Sequence, residues 1–166
     1  MTEPQDAVEW SRNRWIASHQ PSPDQFTAMA AILRTHQAMT ATIDATLRPY
    51  DLTRTGYLLM TALLLSREGT RPLGQLSKQL MVHPTTVTLA LDQLEKRGLL
   101  RRRPHPTDRR TVLAMLTPAG RELLNEVSRA LAGTGFGLAG VDHDLAGRVT
   151  AVLREVREKI GDVSRG

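Results

Sequence analysis

The chain has 166 residues, 40% of them apolar and 23% charged, with a net charge of +5 and no cysteine. That length suits one domain, or one domain with appended helices, and the apolar share is enough for a real core. The absence of thiols excludes a disulfide scaffold, a thiolate zinc site and a cysteine redox sensor together.

Only six residues are aromatic, so the core must be built from Leu, Ala, Val and Met, a composition that favours helices over sheets. The first six residues are polar and no apolar signal segment follows them. The longest apolar run, residues 58–65 with Thr61 inside it, is far short of the roughly 20 residues a membrane span needs. A soluble, cytoplasmic protein without a membrane partner is expected.

In chain order, residues 6–19 read as a short amphipathic leader carrying Val8, Trp15 and Ile16. Pro21 breaks it, and Ser22 with Pro23 makes a cap and first helical position for a second helix running to about Leu47. Phe26, Met29, Ala30, Leu33, Met39 and Ile43 lie at helical spacing along it. Thr53 caps a third helix with its buried run at 57–65. Pro72 opens a brief helix, and Pro84 opens another that ends at Gly98. Val87, Leu91 and Leu94 form the apolar side of the latter, at i, i+4 and i+7. Two short strands, 99–103 and 111–116, are joined by a Pro- and Arg-rich tip. Thr117 and Pro118 cap a long helix whose end Gly133, Gly135 and Gly137 should weaken, each by about 1 kcal/mol relative to alanine. A last helix over 142–160 puts Leu145, Val149, Val152, Leu153, Val156 and Ile160 on one stripe.

Helix, tight connection, helix and a two-stranded wing make a winged helix-turn-helix. The electrostatics agree: residues 71–121 hold ten Lys/Arg against three Asp/Glu, or +7, which leaves −2 for the rest of the chain. A basic face on one compact unit displaces counterions from phosphates. The helix over 83–98 fits a major groove. Its apolar side turns Thr85, Thr86, Leu89 and Gln93 outward, with Thr88 beside them. Threonine hydroxyls can bond base edges or phosphates, and Leu89 or a threonine methyl can pack on a thymine methyl. On the first wing strand, alternation sends Arg102 to the face opposite Arg101 and Arg103. At the tip, Arg109 and Arg110 can enter a minor groove, with Asp108 holding a guanidinium in place.

Residues 73–120 closely resemble the DNA-binding lobe of MarR-type transcriptional regulators. The resemblance rests on Leu76-Ser77-Lys78-Gln79-Leu80, on Asp92-Gln93-Leu94-Glu95-Lys96-Arg97-Gly98-Leu99, and on Asp108-Arg109-Arg110 followed by Leu116-Thr117-Pro118-Ala119-Gly120. It implies a mainly α fold: a winged helix-turn-helix lobe over 51–116, dimerisation helices over 21–50 and 117–166, and a leader over 1–20. It also implies a homodimer, mostly repressing, on a pseudo-palindromic operator in double-stranded DNA. Asp108 and Arg110 map to the family's wing-tip pair, and Thr85, Thr86 and Leu89 to its base-facing positions. Many relatives carry Arg where Leu89 stands, so specificity here is expected to lean on thymine methyls, shape and the wing.

The family often holds a small aromatic or phenolic effector between dimer helices and reading lobe. By position, Trp15, His36, Met39, Tyr50, Tyr57 and Met60 are the candidates, with a packing role as the bland alternative for each. The leader with Trp15 resembles the extra helix of a urate-responsive branch. In that branch's pattern, Leu58 and Leu89 replace an Asp and an Arg, leaving Trp15 and Arg101, so no urate response is expected and the leader should brace the dimer. The peroxide-sensing branch needs a cysteine. The five histidines are scattered without metal-site spacing, and no serine lies in a nucleophile motif, so neither metal, cofactor nor enzymatic activity is expected. The competing class is an architectural or protein-interaction winged-helix module that senses nothing.

Overall fold

A computed structural model describes residues 6–66, 69–105, 107 and 111–162. Helix α1 (Ala7–Ala17) starts where the Asp6 carboxylate accepts from the Val8 N–H, and it packs on α2 (Pro23–Leu47). The corner between them departs from the expected cap. Ser22 stands at the cap position, but its backbone is left-handed (φ 52°) and its side chain makes no capping bond. The corner is fixed instead by Trp15, whose ring stacks on Phe26 (centroids 3.9 Å apart) while its indole N–H donates to the Pro21 carbonyl at 2.8 Å. A tertiary contact therefore does what the serine was expected to do.

After a 3-10 turn (Arg48–Tyr50), α3 (Arg54–Leu64) begins at Thr53, whose hydroxyl oxygen accepts from the Gly56 N–H at 3.1 Å. It ends at Leu64. A short strand β1 (Thr70–Pro72) comes next, then α4 (Leu73–Leu80), a left-handed turn at Met81, and α5 (Pro84–Lys96). The wing is β2 (Leu100–Pro104) and β3 (Val112–Leu116), paired antiparallel with Leu100 opposite Leu116 and Arg102 opposite Ala114. Strand β1 was not read from the sequence. It pairs antiparallel with the other edge of β3, giving the order β1-β3-β2, so the two-stranded wing sits in a three-stranded sheet.

The step from wing to α6 (Pro118–Gly133) is tightly built. Thr117 donates its hydroxyl to the Gly98 carbonyl at 2.7 Å and accepts from the Gly120 N–H at 3.0 Å, while its own N–H donates to the Leu99 carbonyl. A Cβ on Gly120 would lie 2.0 Å from that Leu99 oxygen. Helix α6 stops at Gly133, and a 3-10 turn (Gly135–Gly137) follows, with Phe136 and both glycines at positive φ. The glycine tract thus ends the helix outright. At Gly137 the backbone comes so close to α2 that a Cβ would meet the Met39 carbonyl at 2.5 Å. The last helix, α7 (His143–Lys159), is capped by the Asp142 carboxylate on the Leu145 N–H at 2.7 Å.

The core is the aliphatic one the composition requires. Leu47, Leu59, Met60, Leu63, Leu76, Leu91, Leu100, Leu124, Val127 and Leu131 are fully buried, drawn from the end of α2 and from α3 to α6 with the sheet. Each such side chain contributes about 1.5–3 kcal/mol of transfer free energy. Helix α7 has no buried residue and, among the described residues, makes no extensive contact with any other element. Its stripe of Leu145, Val149, Val152, Leu153, Val156 and Ile160 stands exposed. Among the described residues no helix is long and apolar enough to cross a membrane.

Candidate nucleic-acid interface

Helix α5 is held by Val87, Ala90, Leu91 and Leu94, which are buried against α3 and α4. A helix fixed along one stripe must present the other. The presented face carries Thr85, Thr86, Thr88, Leu89 and Gln93, all exposed, with Leu89 at 59%. Five sequence-derived positions therefore fall together on one side. Thr88 gives its proton to the Pro84 carbonyl at 3.0 Å, so towards a ligand its hydroxyl can act only as an acceptor. The helix starts at His83, whose Nδ1 accepts from the Thr85 N–H at 3.3 Å. That bond places the proton of the neutral ring on Nε2.

The wing follows strand alternation. Arg101 and Arg103 are exposed on one face of β2, and Arg102 lies on the other, against α5. The base of the tip is closed by the His105 N–H donating to the Thr111 carbonyl at 2.9 Å. Asp108, Arg109 and Arg110 lie outside the described residues.

Two polar ties that the sequence did not disclose join α5 to the turn that follows α2, and α3 to α2 itself. Arg97, one residue past α5, donates to the Tyr50 carbonyl at 3.0 Å and to the Asp51 carbonyl. The Arg54 Nε pairs with the Asp44 carboxylate at 2.7 Å. The Arg97 tie links residues more than 40 apart in the chain, and nothing local in the sequence marks it.

Both ties border an open cleft of about 1260 Å³ between α2, α3 and the end of α5. Its apolar floor includes Ile43, Leu52, Leu58, Leu94 and Phe136, and Arg48, Arg54, Lys96 and Arg97 stand among its lining. Of the sequence-derived ligand candidates, His36, Met39 and Tyr57 line this cleft. The Tyr57 hydroxyl lies 3.4 Å from the Ser128 Oγ, which ties α3 to α6. The other three lie elsewhere: Trp15 at the α1–α2 corner, Met60 fully buried in the core, and Tyr50 half-buried against the core. Among the described residues no three His, Asp or Glu side chains group as a metal site.

A polar helix face presented by a helix-turn-helix, flanked by an arginine-bearing wing, defines a winged-helix DNA-binding regulator. The family model for the MarR family matches residues 52–112. The chain is 34% identical to an uncharacterized HTH-type transcriptional regulator, YhbI of Bacillus subtilis, over 72% of its own length and 82% of that protein's. Among solved structures it resembles Sco5413, a MarR family transcriptional regulator from Streptomyces coelicolor. The TM-score there is 0.76 at 35% identity, over 85% of this chain and 98% of the other. It is also similar to BpsR of Bordetella bronchiseptica, whose DNA binding is regulated by 6-hydroxynicotinic acid. That match has a TM-score of 0.68 at 26% identity, over 81% of this chain and 93% of the other. The chain belongs to the MarR family of transcriptional regulators.

Proposed function

We propose that this regulator is a homodimeric repressor that binds a pseudo-palindromic operator. The observation that carries the reading is the unpartnered apolar stripe of α7 beside a lobe whose recognition helix faces outward. A stripe of this kind on a helix with no buried residue of its own fits a second copy of the same surface, as two-fold dimers use. Pairing α2, α6 and α7 across a two-fold axis would set two α5 helices against successive major grooves, about one helical turn apart. Leader α1, with Trp10 and Ile16 exposed, would brace that dimer.

In this reading Thr85, Thr86, Thr88, Leu89 and Gln93 face bases and phosphates. Arg101 and Arg103 of β2 meet the backbone, and Asp108, Arg109 and Arg110 form the tip. The cleft between α2 and α5 receives a small aromatic or phenolic effector. Its apolar floor and basic rim suit such a molecule, and the regulation of BpsR by 6-hydroxynicotinic acid supports the class. An occupant bearing on α2 would shift α3 through the Arg54 tie and α5 through Arg97 on the turn after α2, and a coupling on the order of 1–3 kcal/mol is enough to release an operator. Sedimentation of the purified protein, alone and with a bound duplex, tests the assembly. The expected result is a dimer in both, and a monomer on each duplex would overturn the two-fold model.

A further inference from the structure

Helix α5 carries an unfavourable charge for an element that enters DNA. Between Pro84 and Lys96 its ionisable residues are Asp92, Glu95 and Lys96, a net of −1. Arg97, just past the helix, is turned to the Tyr50 and Asp51 carbonyls and its charge is matched by the Asp51 carboxylate at 3.9 Å, so it is not the partner of Asp92 or Glu95. The two carboxylates lie on the flank towards the wing, and Asp92 is half-exposed beside the reading face.

Arg102 meets both of them. One guanidinium nitrogen donates to the Asp92 carboxylate. Its Nε forms an ion pair with Glu95 at 3.3 Å, angled too steeply for a hydrogen bond. The other Glu95 oxygen accepts from the Arg102 backbone N–H at 3.0 Å. Because β2 is an edge strand, that N–H has no ladder partner, and Glu95 supplies one. The Arg102 side chain is 23% exposed, on the strand face opposite Arg101 and Arg103.

We propose that Arg102 is a positioning residue that works as an internal counter-charge. It neutralises Asp92 and Glu95 so that the recognition helix meets the polyanion without an acidic flank. It differs in kind from its neighbours in the arginine run: Arg101 and Arg103 are free to meet phosphate, whereas Arg102 acts on the protein. Like charges brought together at an interface oppose association. Unmasking two carboxylates at groove distance from phosphates should therefore weaken binding in proportion to their screened repulsion.

The test compares the full-length wild type, Arg102→Gln, the Asp92→Asn/Glu95→Gln pair and the triple variant, by fluorescence anisotropy on a short mixed-sequence fluorescent duplex over a range of salt. Thermal melts confirm folding. Arg102→Gln should bind roughly fivefold more weakly at low salt, with the slope of log affinity on log salt changed by less than about half a unit, because no phosphate contact is lost. Adding Asp92→Asn/Glu95→Gln to it should restore affinity to within about twofold of wild type. A slope lower by about one, with no rescue in the triple variant, would show that Arg102 touches phosphate and would overturn the proposal. Unchanged binding by Arg102→Gln would overturn it equally. Should Arg102→Gln fail to fold, the neutral pair alone decides: binding equal to or tighter than wild type supports masking, and binding several-fold weaker contradicts it.

Discussion

Gly120→Ala should be the most damaging single-methyl change in the lobe. The added Cβ would sit 2.0 Å from the Leu99 carbonyl oxygen and 2.9 Å from its carbon. Backbone must move by about 1 Å to relieve that, in an interior packed too densely to yield freely. The oxygen in question accepts from the Thr117 N–H at 3.1 Å, and Leu99 is itself buried. Overpacking of this kind costs about 1–3 kcal/mol, and the strained hydrogen bond adds about 1 kcal/mol, for a total of roughly 2–4 kcal/mol. For a chain of this size that lowers the thermal midpoint by roughly 5–15 °C. Gly74→Ala is the control. In α4 its Cβ meets nothing within 4 Å, so the change should stabilise by about 0.5–1 kcal/mol. Far-UV circular dichroism melts of both variants check this pair of opposite signs. A Gly120→Ala midpoint within about 2 °C of wild type would refute the steric reasoning.

Other consequences are as direct. Val152→Asp puts a charge in the middle of the α7 stripe, at a site exposed in the single chain. It should leave the melting of the lobe unchanged and shift sedimentation towards monomer by at least about tenfold in dissociation constant. Arg110→Ala should weaken specific DNA binding by about 1–3 kcal/mol in free energy while fold and assembly stay intact, read by anisotropy and sedimentation. Leu89→Arg adds a guanidinium at the centre of the exposed α5 face and should tighten binding with a shifted base preference, read by selection from random duplexes. An unchanged preference would mean that position 89 does not face bases.

What the sequence disclosed and what it withheld divide along a physical line. Thr53 and Thr117 are caps because a side-chain oxygen meets an N–H three residues on, so a short window contains the whole interaction. The outward face of α5 and the reversed face of Arg102 follow from periods of 3.6 and 2, again local rules. Ser22 misled because its corner is decided by Trp15 stacking on Phe26. Strand β1 was missed because three residues ending in proline carry no strand pattern of their own and exist only on the edge of β3. The cleft was half legible for the same reason. His36, Met39 and Tyr57 line it, while Trp15, Tyr50 and Met60, chosen by chain position, are directed elsewhere by packing. Arg97 and its two carbonyl partners span more than 40 residues of chain, beyond any local pattern.

The measurement closest to the central claim is a selection of genomic fragments bound by the purified protein at physiological salt. The account predicts recovery of an inverted repeat with half-sites about one helical turn apart, held at nanomolar affinity. Recovery of unrelated fragments, with affinity that collapses as salt rises, would contradict it and identify the chain as an architectural DNA binder.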